Sequence, residues 1–168
     1  DADGKTGDGA GIHVEIPQDF FQEHVRDSSG EAPQVGRIAV GMVFLPRTDL
    51  GAQERCRIIV ETEILRFGHS ILGWRQVPVD ISVIGEKANA TRPEIEQILF
   101  TDRMGRDAPE LERQLYICRR RIERRARESN LDLYLCSFSS RALIYKGMFL
   151  AEDIDRFYLD LKDKRFIS

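Results

Sequence analysis

From its first ordered pattern the chain alternates. In "AGIHVEI", Ile12, Val14 and Ile16 fall on one side and His13 and Glu15 on the other. A period of two predicts a strand, which Pro17 ends. "PQDFFQEHV" reads as a short helix with proline in its first turn, and "SSGEAPQVG" as a polar loop. The unbroken apolar run "RIAVGMVFLP", closed by Pro46, predicts a buried strand. From Leu50 to Phe67 the apolar positions Cys56, Ile59, Val60, Leu65 and Phe67 are spaced like one side of a helix, with Gly68 at the expected stop.

"SILGWRQVPVD" predicts an extended strand interrupted at Pro78, and "ATRPEIEQILF" another around Ile95 to Phe100. A turn-rich connection, "TDRMGRDAPE", leads to a long helix from Pro109 to Ser129. Leu111, Leu115, Cys118 and Ile122 form its apolar stripe. "LDLYLCSFSS" and "RALIYKGMF" predict a hairpin, followed by a short helix near "AEDIDRFYLDL". No internal repeat or low-complexity segment is visible. The mixed order predicts an α+β protein with sheets covered by helices, rather than a regular βαβ array.

Composition narrows the class. With 168 residues, 42% hydrophobic and 32% charged, the chain has the size and balance of one globular domain. A net charge of −3 argues against a dedicated nucleic-acid binder. Cys56, Cys118 and Cys136 are odd in number, widely spaced and without a CxxC pair, which predicts reduced thiols and a cytoplasmic location. No apolar run approaches the roughly 20 residues that span a bilayer, so no membrane partner is expected. The chain opens on "DADGK" and stops at "KDKRFIS", where a strand-like pattern has only begun. That predicts a segment of a longer protein, with residues essential to its chemistry elsewhere.

The glycine run "GKTGDGAG" has the composition of a phosphate loop but the wrong order. Phosphate loops lead from a strand into a helix, whose N-terminal N–H groups hold the anion. Here the glycines lead into a strand, and no Lys-Ser/Thr pair follows them. The expectation is that Gly7, Gly9 and Gly11 permit tight turning and close backbone approach, while Asp8 bonds its own backbone in an Asx turn. On that expectation Gly9→Ala or Gly11→Val distorts the sheet edge.

Other chemistry-bearing residues read as structural. Cys136, among the hydroxyls of "YLCSFSS", is expected to pack as a small apolar residue, and Cys56 and Cys118 lie on apolar helix faces. His13, His24 and His69 share no ligand spacing, and His69 reads as a cap or turn residue after Gly68. "CRRRIERRARE" places six arginines on one helix among glutamates, a pattern of helix ion pairs on a solvated or interdomain face. In a multidomain protein, the charge density of Arg120, Arg121 and Arg124 leads to the expectation that they pair with acidic residues of another domain or subunit.

"TGDGAGIHVEIPQDFF" resembles a signature of the class II glutamine amidotransferase domain of glutamate synthase large subunits. "GWRQVPVD", "IGEKANATRPEIEQILF", "LERQLYICRRRIE" and "LCSFSSRALIYKGMFLAEDIDRFYLDLKDKRFIS" resemble consecutive blocks of the same family, in order, most closely the bacterial NADPH-dependent type. The resemblance implies that residues 1–168 are part of a glutaminase domain, within the four-layer αββα sandwich of the N-terminal nucleophile hydrolases. It implies L-glutamine as substrate, with ammonia passed to a synthase domain of the same chain for reductive transfer to 2-oxoglutarate. FMN, an iron–sulfur cluster and NADPH, the last through a smaller flavoprotein subunit, are implied for the whole protein and none for this segment. The nucleophile of such enzymes is an N-terminal cysteine, expected upstream of Asp1. No catalytic, cofactor-binding or metal-binding residue is therefore assigned in 1–168, and only Gly7, Asp8, Gly9 and Gly11 are placed structurally near the site. A reading of another class stays open beside this one: a self-contained α+β module that binds an anionic or acidic protein partner through the Arg119–Arg127 helix.

Overall fold

The eight-residue run Ile38–Leu45 (β2) is the centre of the molecule because its alternate side chains enter two different apolar layers. The computed structural model describes residues 11–30, 36–147 and 153–166. Around β2 they place β1 (Gly11–Glu15), α1 (Gln18–Ser29), α2 (Leu50–Arg66), β3 (His69–Gln76), α3 (Glu86–Thr91) and β4 (Glu94–Asp102). Helix α4 (Ala108–Glu128), β5 (Tyr134–Ser139), β6 (Ala142–Lys146) and α5 (Ile154–Phe157) follow, and 3-10 turns at 159–162 and 164–166 complete the fold.

A four-stranded antiparallel sheet has the order β3-β4-β2-β5, and a separate two-stranded antiparallel sheet joins β1 to β6. On one face of the larger sheet, Ala39, Val43, Leu45, Ile98 and Phe100 meet Cys56, Val60 and Ile64 of α2 and Leu115, Cys118 and Ile122 of α4. On the other face, Ile38, Val40, Met42 and Leu99 meet Leu143 and Tyr145 of β6, Phe21 and Val25 of α1, and the C-terminal turns. The layers thus run helices, sheet, sheet. Full burial of each large side chain contributes roughly 1.5–3 kcal/mol, so both interfaces are strongly favoured.

Helix boundaries follow local chemistry. The Asp49 carboxylate accepts from Ala52 N–H at 2.9 Å and Asp107 from Glu110 N–H at 3.0 Å, capping α2 and α4. Beyond α2, Gly68 takes φ +88, which suits glycine and forms the predicted stop. The predicted α+β class and the long helices are observed. Two readings need correction. "LDLYLCSFSS" and "RALIYKGMF" form β5 and β6, but these strands belong to different sheets and are not a hairpin. The six-residue α3, which follows Gly85, has too short a period to register as a pattern and was not anticipated.

Candidate functional site

The glycine-led strand lies on the smaller sheet. Gly11 faces Lys146, Ile12 faces Tyr145 and Val14 faces Leu143 across the β1–β6 ladder. Ile12 and Val14 pack against the core while Gly11, His13 and Glu15 are exposed, so the predicted alternation holds. Among the described residues β1 pairs only with β6, leaving its other edge open. Among the described residues nothing approaches Gly11 closely. A Cβ there would meet Ile144 Cγ2 at 3.6 Å and the Tyr145 carbonyl oxygen at 3.7 Å, which is ordinary contact. Gly7, Asp8 and Gly9 lie outside the described residues.

The corner between β5 and β6 explains the serines of "CSFSS". Glu112 of α4 accepts from Ser139 Oγ at 2.7 Å, Ser140 N–H at 2.8 Å and Ser140 Oγ at 2.6 Å. Ser139 Oγ in turn accepts from the N–H groups of Arg141 and Ala142, and Ser137 Oγ from that of Ile144. Hydroxyls therefore satisfy backbone donors where the chain leaves one sheet for the other. Cys136, beside them, is buried, and burial pushes its thiol up to about 12. A thiol so protonated is no nucleophile. Cys56 and Cys118 are likewise buried, with Cys118 also raised to about 12 by burial.

Between the sheets sits a polar network that sequence patterning did not reveal. Arg75 of β3 donates to Asp160 Oδ1 at 2.6 Å and Oδ2 at 2.8 Å, and to Gln97 Oε1 at 2.9 Å. Tyr145 donates to Asp160 Oδ2 at 2.7 Å, and Gln97 Nε2 donates to Tyr145 Oη at 3.2 Å. The Arg75 guanidinium also lies 5.0 Å from the Phe20 ring centre. Burial, and then the Asp160 charge, hold the Tyr145 hydroxyl well above its ordinary range. Burial disfavours the Arg75 cation, but its bonds to Asp160 outweigh this and keep it charged. Each group spends its hydrogen bonds on the others, so the network joins layers and leaves no base poised for a substrate.

The histidines remain apart. His69 is a correction: it opens β3 rather than capping a turn, and it is fully buried against Phe100, with ring centres 5.1 Å apart. Its Nδ1 stands 3.4 Å from Asp102 Oδ1, short of a well-formed hydrogen bond. Burial lowers its pKa to about 4 despite that carboxylate. No three His, Cys, Asp or Glu side chains among the described residues gather as a metal site, and no described helix is long and apolar enough to cross a membrane.

The arginine helix divides into two groups. Fully buried Glu63 of α2 accepts from Arg121 Nε at 3.1 Å and Arg125 Nη1 at 2.9 Å, with Arg66 Nη1 at 3.2 Å. Burial pushes its carboxyl up, but the Arg125 and Arg121 hydrogen bonds prevail and hold it below its ordinary range. Arg119 donates to the Leu135 carbonyl at 2.6 Å. Arg121, expected to await another domain, is therefore committed within this one. Arg120 and Arg124 point outward, Arg124 in a loose pair with Glu128 at 3.5 Å.

Comparison with known proteins completes the picture. Residues 1–168 match the family described as glutamine amidotransferases class-II. The chain is 59% identical to the NADPH glutamate synthase large chain of Azospirillum brasilense, over 100% of this chain and 11% of that protein. It is 38% identical to the chloroplastic ferredoxin-dependent glutamate synthase of Spinacia oleracea, over 99% of this chain and 10% of that protein. Identity to the NADPH glutamate synthase large chain of Bacillus subtilis is 36%, over 99% and 11% respectively. The chain thus spans 10–11% of the length of these relatives.

Proposed function

The chain belongs to the class II glutamine amidotransferases, and from that premise we propose that it forms the body of the glutaminase domain of a glutamate synthase large subunit. The observation that carries this reading is similarity along this whole chain to such subunits, at 59% identity to an NADPH-dependent one and 38% to a ferredoxin-dependent one. The reaction is hydrolysis of the L-glutamine side-chain amide. A cysteine thiolate attacks the amide carbon, the tetrahedral adduct breaks its C–N bond to release protonated ammonia and leave a thioester, and water cleaves the C–S bond to give glutamate and the free thiol. The nucleophile is an N-terminal cysteine upstream of Asp1, with its own α-amino group as base. The three thiols described above are buried and protonated, and none takes that role.

The part played by these residues is positional. The four-stranded sheet, tied to α2 and α4 on one face and to β6 on the other, provides a fixed floor. Gly7, Asp8, Gly9 and Gly11 lead into β1, whose open edge lies near the nucleophile strand in this reading. FMN, the iron–sulfur cluster and the NADPH-oxidising partner subunit belong to the remainder of a cytoplasmic enzyme.

An electrophilic glutamine analogue, such as a chloroketone, tests the assignment on the full-length protein. Peptide mapping is expected to find the label on a cysteine outside residues 1–168, with glutamine hydrolysis lost in proportion. Label on Cys56, Cys118 or Cys136, or a full-length protein that does not hydrolyse glutamine, overturns it.

A further inference from the structure

Helix α4 carries seven arginines, four glutamates and no lysine, in a chain whose net charge is −3. Arg119, Arg121 and Arg125 are spent inside the domain, and Glu112 is turned to the β5–β6 corner. What remains is a single outward stripe, within which Arg113 pairs with Glu110 and Arg124 with Glu128. Arg113, Ile117, Arg120, Arg124 and Arg127 recur at intervals of four and three residues, opposite the buried line through Leu115 and Ile122. Tyr116, 62% exposed, and Ile117, 41% exposed, stand in its first half. Arg120 and Arg127 have no side-chain partner among the described residues. The neighbouring helix α2 exposes Ile58 and Leu65 on its own outer side, so the outer surface of the helix layer mixes large apolar groups with unneutralised guanidinium groups.

What sets this face apart is the adjacency of exposed Tyr116 and Ile117 to guanidinium groups that have no partner among the described residues. Arginine and aromatic residues are enriched in interfaces and lysine is depleted, because the planar guanidinium both stacks and pairs with carboxylates in two-point contacts. From Arg113 to Arg127 the stripe is about 21 Å long at 1.5 Å per residue, enough for one face of a partner helix or a short extended segment.

We propose that the outer face of α4 is a docking surface for an acidic, carboxylate-bearing face of the same polypeptide lying outside residues 1–168. Charge sets the chemistry of the occupant: the surplus is positive and already arranged for carboxylates. Its source follows from length, since relatives matched over this entire chain are about nine times longer or more. The inference rests on the reading of the chain as a segment of such a protein, and is independent of where glutamine is hydrolysed. Arg121 and Arg125 hold buried Glu63 and are unsuited to a test. Arg120, Arg124 and Arg127 are suited to one.

Hydroxyl-radical footprinting of the full-length protein reads the surface directly. Tyr116 is expected to be labelled at least fivefold more slowly than Tyr134, which in this chain is the less exposed of the two at 44%. Raising sodium chloride from about 0.1 to 1 M, or substituting Arg120→Glu with Arg127→Glu, is expected to bring the two rates together by weakening charge pairing. The milder pair Arg120→Gln and Arg127→Gln, which leaves every described ion pair intact, is expected to give an intermediate rate should the reversal prevent folding. Equal labelling of the two tyrosines in the unmodified protein overturns the proposal. So does protection that persists in both variants, that disappears on dilution to nanomolar protein, or that is removed by nuclease. These outcomes point respectively to an uncharged contact, a separate subunit or a nucleic acid. Glutamine hydrolysis, measured on the same samples, tests the functional reading separately: its absence with Tyr116 still protected counts against the function alone.

Discussion

The two faces of the four-stranded sheet are stabilised by different means. Beneath α2 and α4 the contact is almost wholly apolar, and buried Glu63 sits at its margin with three guanidinium partners. Toward the two-stranded sheet the contact is aromatic and ionic. Phe20, Phe21, Tyr145, Tyr158 and Phe166 meet edge to face around the Arg75–Asp160 pair. The first face depends on shape and is closed by helices. The second depends on a few directional bonds and ends at β1, which among the described residues pairs on one edge only.

The largest expected effect follows from removing a single member of the ionic pair. Asp160→Ala strands the Arg75 cation in a site where both partners are nearly buried. Breaking such a pair costs about 3–5 kcal/mol. Hydrogen exchange of the β3 and β6 amides should accelerate roughly 100-fold or more, while the α2 and α4 amides change least. The double variant Arg75→Met, Asp160→Leu is expected to recover much of the loss, because matched apolar groups avoid the unpaired charge. Equal acceleration on both faces of the sheet would break the comparison.

On the helix-covered side the sensitive polar group is His69, and its effect depends on pH. Its folded pKa, about 4, lies below the unfolded value of 6.5 because burial disfavours the cation. Between those values the unfolded chain binds a proton that the native chain refuses. Stability is therefore fully present above pH 6.5 and falls as pH drops toward 4, by about 3 kcal/mol in all. Urea midpoints across that window should show the slope, and the His69 ring signal in NMR should titrate near 4. His69→Phe keeps the contact with Phe100 and should flatten the slope. An unfolding midpoint indifferent to pH over this range would contradict the assignment.

How much of this was legible in the sequence depends on range. Local signals were sufficient for the stop at Gly68 and the burial of Cys56 and Cys118, because each rests on neighbours within a helical turn or two. The β5–β6 corner was misread because alternation reports which side chains share a face, never which strand is the partner. The deciding contacts come from Glu112, 27 and 28 residues away. Glu63 and Arg121 are 58 residues apart, and Arg75 and Asp160 are 85 apart. No periodicity links them. His69 was assigned to a turn because Gly68 precedes it, and its burial is settled by Phe100 across the β3–β4 ladder. The site was legible only through resemblance, since no residue pattern within 1–168 marks a nucleophile.

The smallest expected effects give the sharpest form of the comparison, through two glycines in two strands. At Gly41, in β2 under the helices, an added Cβ would stand 2.7 Å from Ile98 Cγ2 and 2.9 Å from Phe138 Cδ1. Both neighbours are buried in a packed layer and have little room to yield. Gly41→Ala is expected to cost about 1–3 kcal/mol as an overpacked substitution. At Gly11, in β1, the same methyl group meets nothing closer than 3.6 Å among the described residues, and the backbone is not in the left-handed region. Gly11→Ala should be neutral or stabilise by up to about 1 kcal/mol, mainly by restricting the unfolded chain. Thermal or urea midpoints of the two variants decide the matter. If Gly11→Ala proves the more damaging, its methyl group must be striking something beyond β6. The open edge of β1 would then be occupied in the full-length protein, at the place where the glutaminase reading seats the nucleophile strand.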